Sequence, residues 1–255
     1  MFVDSHCHIN FPELAADLDG VVAAMQSNAV THALCVSVNL ETLPQILSIA
    51  ERYPNVFASV GVHPDDQGGE EPDIGRLLAL AKHPRVIAIG ETGLDYYRLE
   101  GDLEWQRERF RCHIRAARQC GKPLIIHTRE AAADTLRIMK EENARECGGV
   151  MHCFTETQAV ADAAMEMNFL ISFSGIITFK NALTLKAVAR ELPMERMLIE
   201  TDSPYLAPTP YRGKTNQPAY VRFVAEEVAR IKGVSVESVA AATTANFFGL
   251  FSTAA

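Results

Sequence analysis

Eight short apolar runs alternate along the chain with amphipathic stretches of helical periodicity, and this alternation constrains the fold more than any other feature. The runs are rich in β-branched residues and predict strands at 2–8, 31–38, 56–62, 86–91, 123–128, 149–154, 169–174 and 197–202. Helices are predicted at 12–28, 41–52, 72–82, 102–120, 130–145, 157–167, 181–191 and 217–231, with a last one at about 235–250. This order predicts the α/β class and a (β/α)8 TIM-type barrel, with a doubly wound open sheet as the alternative.

No break in composition marks a linker, so we expect a single domain over residues 1–255. No apolar run approaches the roughly 18–20 residues that span a bilayer, and we therefore expect no membrane association. The N-terminus lacks the basic and apolar regions of a secretory signal. Six cysteines without C-x-x-C spacing then predict reduced thiols in a cytoplasmic protein.

The formal net charge of −8 argues against a protein that coats nucleic acid through bulk electrostatics. A nucleic acid bound locally remains compatible with this charge, because two divalent ions would add four positive charges at one place.

Two histidines, His6 and His8, end the first predicted strand in the segment Asp4-Ser5-His6-Cys7-His8. Residues two apart in a strand point to the same face, so the two imidazoles would project side by side. Two imidazoles placed in this way can bind one divalent metal ion.

Four further potential ligands also end predicted strands: Glu91 on the fourth, His127 on the fifth, His152 on the sixth and Asp202 on the eighth. In a (β/α)8 barrel the carboxyl ends of the strands form one rim, where catalytic groups lie. Six donors on one rim predict a metal site, and the chain is therefore interpreted as a metal-dependent hydrolase.

Four imidazoles and two carboxylates exceed the four ligands of a tetrahedral zinc ion, so we expect two divalent ions that share one carboxylate. Glu91 is the expected bridge, with His6, His8 and Asp202 completing one site and His127 and His152 the other. Such ions lower the pKa of water from about 15.7 to about 7. Asp202 is expected to orient or deprotonate the attacking water, which makes Asp202 and Glu91 the predicted catalytic residues.

Two more acidic residues share a strand face with these ligands, Asp4 with His6 and Glu200 with Asp202. A buried carboxylate needs a partner, and we expect both to accept hydrogen bonds from ligand imidazoles. Cys7 and Cys153 alternate away from the histidines and are predicted to be buried against the helices.

Aromatic and cationic residues follow the ligands in the loops of the same rim. His63 and Arg129 are predicted to contact the substrate, Arg129 by binding a phosphate or carboxylate with its planar guanidinium. The remaining predicted contacts, suited to nucleotides, are Tyr96, Tyr97, Arg98, Tyr205, Arg212 and Lys214.

Several segments together resemble the TatD family of metal-dependent hydrolases, within the amidohydrolase-like barrels. They are D-S-H-C-H at 4–8, V-G-V-H-P at 60–64, I-G-E-T-G-L-D-Y-Y at 89–97, I-I-H-T-R at 125–129, H-C-F-T at 152–155, S-F-S-G at 172–175, I-E-T-D-S-P-Y-L-A-P at 199–208, R-G-K-T-N-Q-P at 212–218 and T-T-A-N-F-F at 243–248. The resemblance implies a TIM-type barrel with a divalent metal site, acting as a deoxyribonuclease or 3′–5′ exonuclease, and it supports the six ligands with Glu91 as the bridge. The chain departs from the family pattern at Gln217, where a Glu often stands, and this leaves the substrate preference open.

Three functional hypotheses follow. The first is a phosphodiesterase that acts on single-stranded DNA or RNA ends. The second keeps the metal site but cleaves an amide or a carboxylic ester, such as the aminoacyl link at a tRNA end. The third is a non-catalytic binding scaffold, which the presence of all six ligands disfavours. The sequence leaves the metal open among Mg²⁺, Mn²⁺ and Zn²⁺, and it leaves the oligomeric state open as well.

Overall fold

All strands of the sheet run parallel, and each pairs with the strand that follows it in the chain. The computed structural model describes residues 1–97 and 99–252, and its strands are β1 Phe2–Cys7, β2 Val30–Cys35, β3 Val56–Val60, β4 Val86–Asp95, β5 Leu124–Arg129, β6 Gly149–Met151, β7 Phe169–Phe173 and β8 Met197–Ile199. The first and last strands also meet, because the Asp202 amide donates to the His6 carbonyl at 2.9 Å and Cys7 pairs with Ser203. The predicted (β/α)8 barrel is therefore confirmed, and the open sheet, which would leave two free edges, is wrong.

The helices follow the strands as α1 Pro12–Ala15, α2 Leu18–Ser27, α3 Leu43–Arg52, α4 Ile74–Ala81, α5 Glu104–Cys120, α6 Ala132–Glu141, α7 Gln158–Glu166, α8 Leu183–Glu191, α9 Val221–Lys232 and α10 Val236–Leu250. The predicted helix 12–28 is two helices, because the Asp17 side chain accepts a hydrogen bond from the Gly20 amide and caps α2. Within the described ranges, none of the helices has the length and apolar character needed to cross a bilayer. Arg98, predicted at the mouth, lies outside the described residues.

The observed strand ends differ from the predicted ones, and three of these differences matter for the site. Strands β6 and β8 stop at Met151 and Ile199, so His152 and Asp202 lie just beyond them, in the connecting loops. Strand β4 continues to Asp95, because residues 92–95 pair with residues 126–129 of β5. The longer β4 carries an additional carboxylate towards the mouth.

One end of the barrel is closed by apolar side chains. Each of the eight strands contributes to a single cluster, which can converge only inside the barrel. Phe247 of α10 and Phe251, which directly follows that helix, are fully buried in that cluster. Helix α10 therefore covers the end at which the strands begin, and the end at which they finish stays open for a site.

A histidine is buried between the sheet and α5. The Nε2 atom of His113 accepts a hydrogen bond from the Val62 amide at 3.1 Å, and its Nδ1 donates to the Arg109 carbonyl at 2.8 Å. Both ring nitrogens are thus used by a neutral imidazole. Burial lowers the pKa of His113 from 6.5 to about 4.

This histidine predicts a pH-dependent stability. Above pH 6.5 His113 is neutral in the folded protein and in the unfolded chain. As the pH falls from 6.5 to about 4, the unfolded chain binds a proton at this histidine and the folded protein does not. The free energy of unfolding therefore decreases over that pH range. The loss is about 3 kcal/mol. Denaturant unfolding between pH 4 and pH 8 measures it, and His113→Gln, which keeps an acceptor for Val62, should give a flatter profile. Parallel profiles for the two proteins would contradict the expectation.

Candidate metal centre

The carboxylate of Glu91 lies at the centre of the open end of the barrel and is almost completely buried. Its Oε2 is 3.4 Å from His6 Nε2 and 4.0 Å from His8 Nε2. Its Oε1 is 2.7 Å from His152 Nε2 and 3.2 Å from His127 Nδ1. The two oxygens of one side chain therefore face two different pairs of imidazoles, as a bridging carboxylate requires.

Asp202 completes the first of these groups from the loop after β8. Its Oδ1 is 3.4 Å from His8 Nε2 and 3.7 Å from His6 Nε2. The backbone of Asp202 adopts a positive φ of 55°, a conformation in which Asp is among the more tolerated residues. The hydrogen bond from its amide to the His6 carbonyl holds this turn against β1. The structure thus brings together all six donors predicted from the sequence.

The outward-facing nitrogens of three imidazoles are held by acceptors. His8 Nδ1 donates to the Val36 carbonyl at 3.0 Å, His127 Nε2 to Asp95 Oδ2 at 2.9 Å and His152 Nδ1 to Glu200 Oε1 at 3.2 Å. When both rings are neutral, the inward nitrogens of His127 and His152 face each other with lone pairs at 3.4 Å. Two such lone pairs repel unless a proton or a cation lies between them, so the donor set fits a metal ion.

The electrostatics of the cluster also favour cations. Burial raises the pKa of Glu91, but the imidazoles of His152, His63 and His6 outweigh burial and hold it well below its usual value. Asp202 behaves similarly: burial raises its pKa, whereas the hydrogen bond with His8 and the charges of His6 and His152 lower it to about 2. Both carboxylates are therefore ionised at neutral pH and can act as ligands.

His63, predicted to contact the substrate, lines the cavity and also belongs to the donor cluster. Its Nε2 is 3.4 Å from Glu91 Oε1, and its Nδ1 hydrogen-bonds to the Asp65 carboxylate. His63, Glu91 and His127 offer ligand atoms that are close enough to hold one ion. The sequence did not foresee this second potential role.

The other predicted substrate residues divide into three groups. Arg129 and Tyr205 line a cavity of about 540 Å³ above the cluster. Arg212 and Lys214 are exposed on the rim outside it, Arg212 stacked on the ring of Phe179 at 3.5 Å. Tyr96 is a correction: its hydroxyl donates to Asp134 at 2.8 Å and accepts from Arg107, so it points between α5 and α6 and not into the mouth.

The two supporting acids, Glu200 and Asp4, have different hydrogen-bond partners. Glu200 accepts from His152, as expected, and also from the Cys153 amide at 2.7 Å. Asp4 accepts from the Thr201 amide at 2.8 Å and from the Thr201 hydroxyl at 2.5 Å, so the expected imidazole partner is wrong and Asp4 links β1 to the end of β8 instead. The prediction for Cys153 is also wrong, because a turn in which its own φ is 41° breaks the strand alternation and the residue lines the cavity.

Asp95 is a site residue that the sequence analysis missed. It lies four residues after Glu91 on β4, and the two carboxylates hold opposite nitrogens of His127. Strand alternation places residues 91 and 95 on the same face. The predicted strand ended at residue 91, so this relation to Asp95 was not recognised. Gly93 lies between them with φ of 131°, and a Cβ there would be 2.0 Å from the His127 carbonyl oxygen, so only glycine allows this close approach.

We expect Asp95→Asn to weaken metal binding, because the Asp95 carboxylate orients His127 and increases its basicity. Loss of such a partner typically costs 10–100-fold in metal affinity. Titration of the metal-free protein by calorimetry measures the change. Asp134→Asn, which removes the partner of the Tyr96 hydroxyl outside the site, is the matched control. Equal affinities for wild type and Asp95→Asn would contradict the expectation.

Comparison with known proteins shows the family to which the chain belongs. The family model described as TatD related DNase matches residues 3–252. The chain belongs to the TatD family. It is thus a metal-dependent hydrolase of that family, and the predicted family membership is confirmed.

The relatives align with almost the whole length of this chain. An Escherichia coli K12 protein named uncharacterized metal-dependent hydrolase YcfH is 47% identical over 252 residues, 98% of this chain and 95% of the relative. A Citrobacter rodentium protein named 3′-5′ ssDNA/RNA exonuclease TatD is 32% identical over 254 residues, 97% of each chain. The crystal structure of the TatD homologue YJJV from Escherichia coli superposes with a TM-score of 0.91 at 26% identity and covers 98% of both chains.

Proposed function

We propose that this TatD-family hydrolase is a 3′–5′ exonuclease that cleaves phosphodiester bonds at the ends of single-stranded DNA or RNA with two divalent ions. The observation that carries the proposal is the position of Glu91, whose two oxygens face two groups of imidazoles beneath an open cavity. The Citrobacter rodentium relative, named an exonuclease for these substrates, supports this choice of bond. The six free cysteines support a cytoplasmic location.

The proposed ligands form two groups, one at each oxygen of the Glu91 carboxylate. Glu91 Oε2 with His6, His8 and Asp202 would hold one ion, and Glu91 Oε1 with His127 and His152 would hold the other. When bound, such ions polarise phosphoryl oxygens and make water acidic enough to attack at neutral pH. Imidazole ligands favour Mn²⁺ or Zn²⁺, whereas nucleases commonly use Mg²⁺, so all three ions belong in the assay.

The side chains of the site have defined tasks in this reaction. Asp202, whose side chain is 16% exposed, would orient the attacking water and accept its proton. Arg129 and His63 line the cavity and would bind the phosphate oxygens. The oxygen of water forms a bond to phosphorus while the bond from phosphorus to the 3′ oxygen breaks. The products are a nucleoside 5′-phosphate and a strand shortened by one nucleotide.

An assay with two substrates tests the proposal. Purified protein loaded with Mg²⁺, Mn²⁺ or Zn²⁺ is given a 5′-labelled single-stranded oligonucleotide and, separately, an aminoacyl-tRNA. We expect stepwise shortening of the oligonucleotide from its 3′ end, and its loss in His127→Ala. His83→Ala, a histidine that precedes β4 and contacts Glu51 at the other end of the barrel, should behave as wild type. An intact oligonucleotide together with rapid deacylation would refute the exonuclease and favour the carboxylic ester.

A further inference from the structure

Two aromatic side chains form one wall of the cavity beside the candidate metal centre. The ring of Phe11 stacks on the ring of His8, with centroids 4.9 Å apart and planes inclined by 18°. The ring of Tyr205 stands nearly perpendicular to that of Phe11, at 6.2 Å and 74°. Both side chains line the cavity that contains Glu91 and Asp202. The pair therefore adjoins the reacting groups directly.

Tyr205 is exposed, but its backbone is held firmly. The Tyr205 amide donates to the Asp202 carbonyl at 3.0 Å, and the Tyr205 carbonyl accepts from Asn216 Nδ2 at 2.6 Å. Asn216 is fully buried and also donates to the Thr201 carbonyl at 2.9 Å. The side chain of Tyr205 nevertheless remains 53% exposed. The fold thus fixes the backbone that carries an exposed aromatic ring at the mouth, although burying the ring would be more favourable.

We propose that Phe11 and Tyr205 form the stacking site for the unpaired base of the 3′-terminal nucleotide. This inference rests on the proposed exonuclease activity and specifies how that site selects its substrate. Aromatic side chains stack on any nucleobase, because every base has a π face. Ile176 and Leu206 line the same cavity and extend its apolar surface, while Arg129 provides a cation for the phosphate.

The position of the pair restricts the substrate class. Phe11 packs on His8, a candidate ligand, so a base on this wall belongs to a nucleotide whose phosphate lies at the metal centre. A base that remained paired in a duplex would bring its complementary strand into the same cavity. The site therefore selects unpaired 3′ ends and discriminates little among the four bases.

Binding of an uncleavable strand tests the inference. The probe is a single-stranded DNA pentamer with 2-aminopurine as its 3′-terminal base and a methylene group in place of the bridging oxygen of the last phosphodiester. Its partner probe carries an abasic sugar at the 3′ end. We expect wild type to quench the 2-aminopurine fluorescence and to bind the base-bearing strand about 5- to 150-fold more tightly than the abasic one.

Variants of Tyr205 separate stacking from other effects. Tyr205→Leu keeps an apolar side chain without a ring and should bind the two strands almost equally, whereas Tyr205→Phe should keep the preference. Metal affinity, measured by calorimetry, should be the same in both variants. Equal binding of the two strands by wild type, or a preference retained in Tyr205→Leu, would overturn the stacking site.

Cleavage of an ordinary pentamer is measured in parallel, so that the two proposals fail separately. Cleavage by wild type without discrimination between the probes would overturn the stacking site and leave the exonuclease standing. Discrimination that requires the Tyr205 ring, without cleavage under any of the three metals, would support the base site and overturn the exonuclease. If wild type neither cleaved the pentamer nor discriminated between the two probes, both proposals would be overturned.

Discussion

Glu91→Gln should abolish metal-dependent activity almost completely, with kcat/KM lower by on the order of 10³-fold or more. The substitution keeps the size of the side chain but removes the negative charge that faces His6 on one side and His152 on the other. The amide nitrogen that replaces one carboxylate oxygen has no lone pair to offer a metal ion, so it donates hydrogen bonds towards one pair of imidazoles and cannot bind a cation. A metal centre contributes several kcal/mol of transition-state stabilisation, which corresponds to a loss of this size.

The bound metal must be measured alongside the rate. We expect wild type, after dialysis against excess Mn²⁺, to retain more metal per chain than Glu91→Gln. Glu237→Gln, in the first turn of α10 at the closed end of the barrel, is the matched control, and it should keep both metal and activity. If Glu91→Gln kept full activity, the central carboxylate would have no role in catalysis.

Asp202→Asn is expected to lower kcat by about 10²–10⁴-fold, the usual contribution of a general base. The pKa of Asp202 of about 2 keeps its carboxylate ionised at neutral pH, whereas an amide accepts no proton from water. The amide oxygen can still act as a ligand, so metal binding should suffer less than in Glu91→Gln. The difference between the two variants then separates proton transfer from metal binding.

Saturation with metal distinguishes these roles of Asp202. At saturating Mn²⁺ the kcat of Asp202→Asn should stay low, because the missing function is proton acceptance. Asp162→Asn, on the solvent-exposed side of α7, controls for the loss of one charge and should match wild type. Recovery of the wild-type kcat at high Mn²⁺ would show instead that Asp202 acts only as a ligand.

The sequence by itself determined the barrel and predicted that six donors meet at one rim. Strand periodicity of two and helix periodicity of 3.6 are local properties of the chain, so they can be identified without knowing its contacts. The parallel barrel then requires every strand to finish at the same rim. His127 and Asp202 were predicted at one site on this ground alone, although 75 positions separate them in the chain (202 − 127 = 75).

The tertiary structure decided how those groups are oriented and what supports them. The sequence placed Asp4 on the correct face but could not show that Thr201 lies nearer to it than any imidazole, because that distance depends on how β1 meets β8. It likewise could not show that Tyr96 turns towards Asp134, or that Phe11 packs on His8. Alternation assigns a side chain to a face only while the strand continues, and these residues lie where strands end or join. Beyond those ends, only packing between distant segments sets the direction of a side chain.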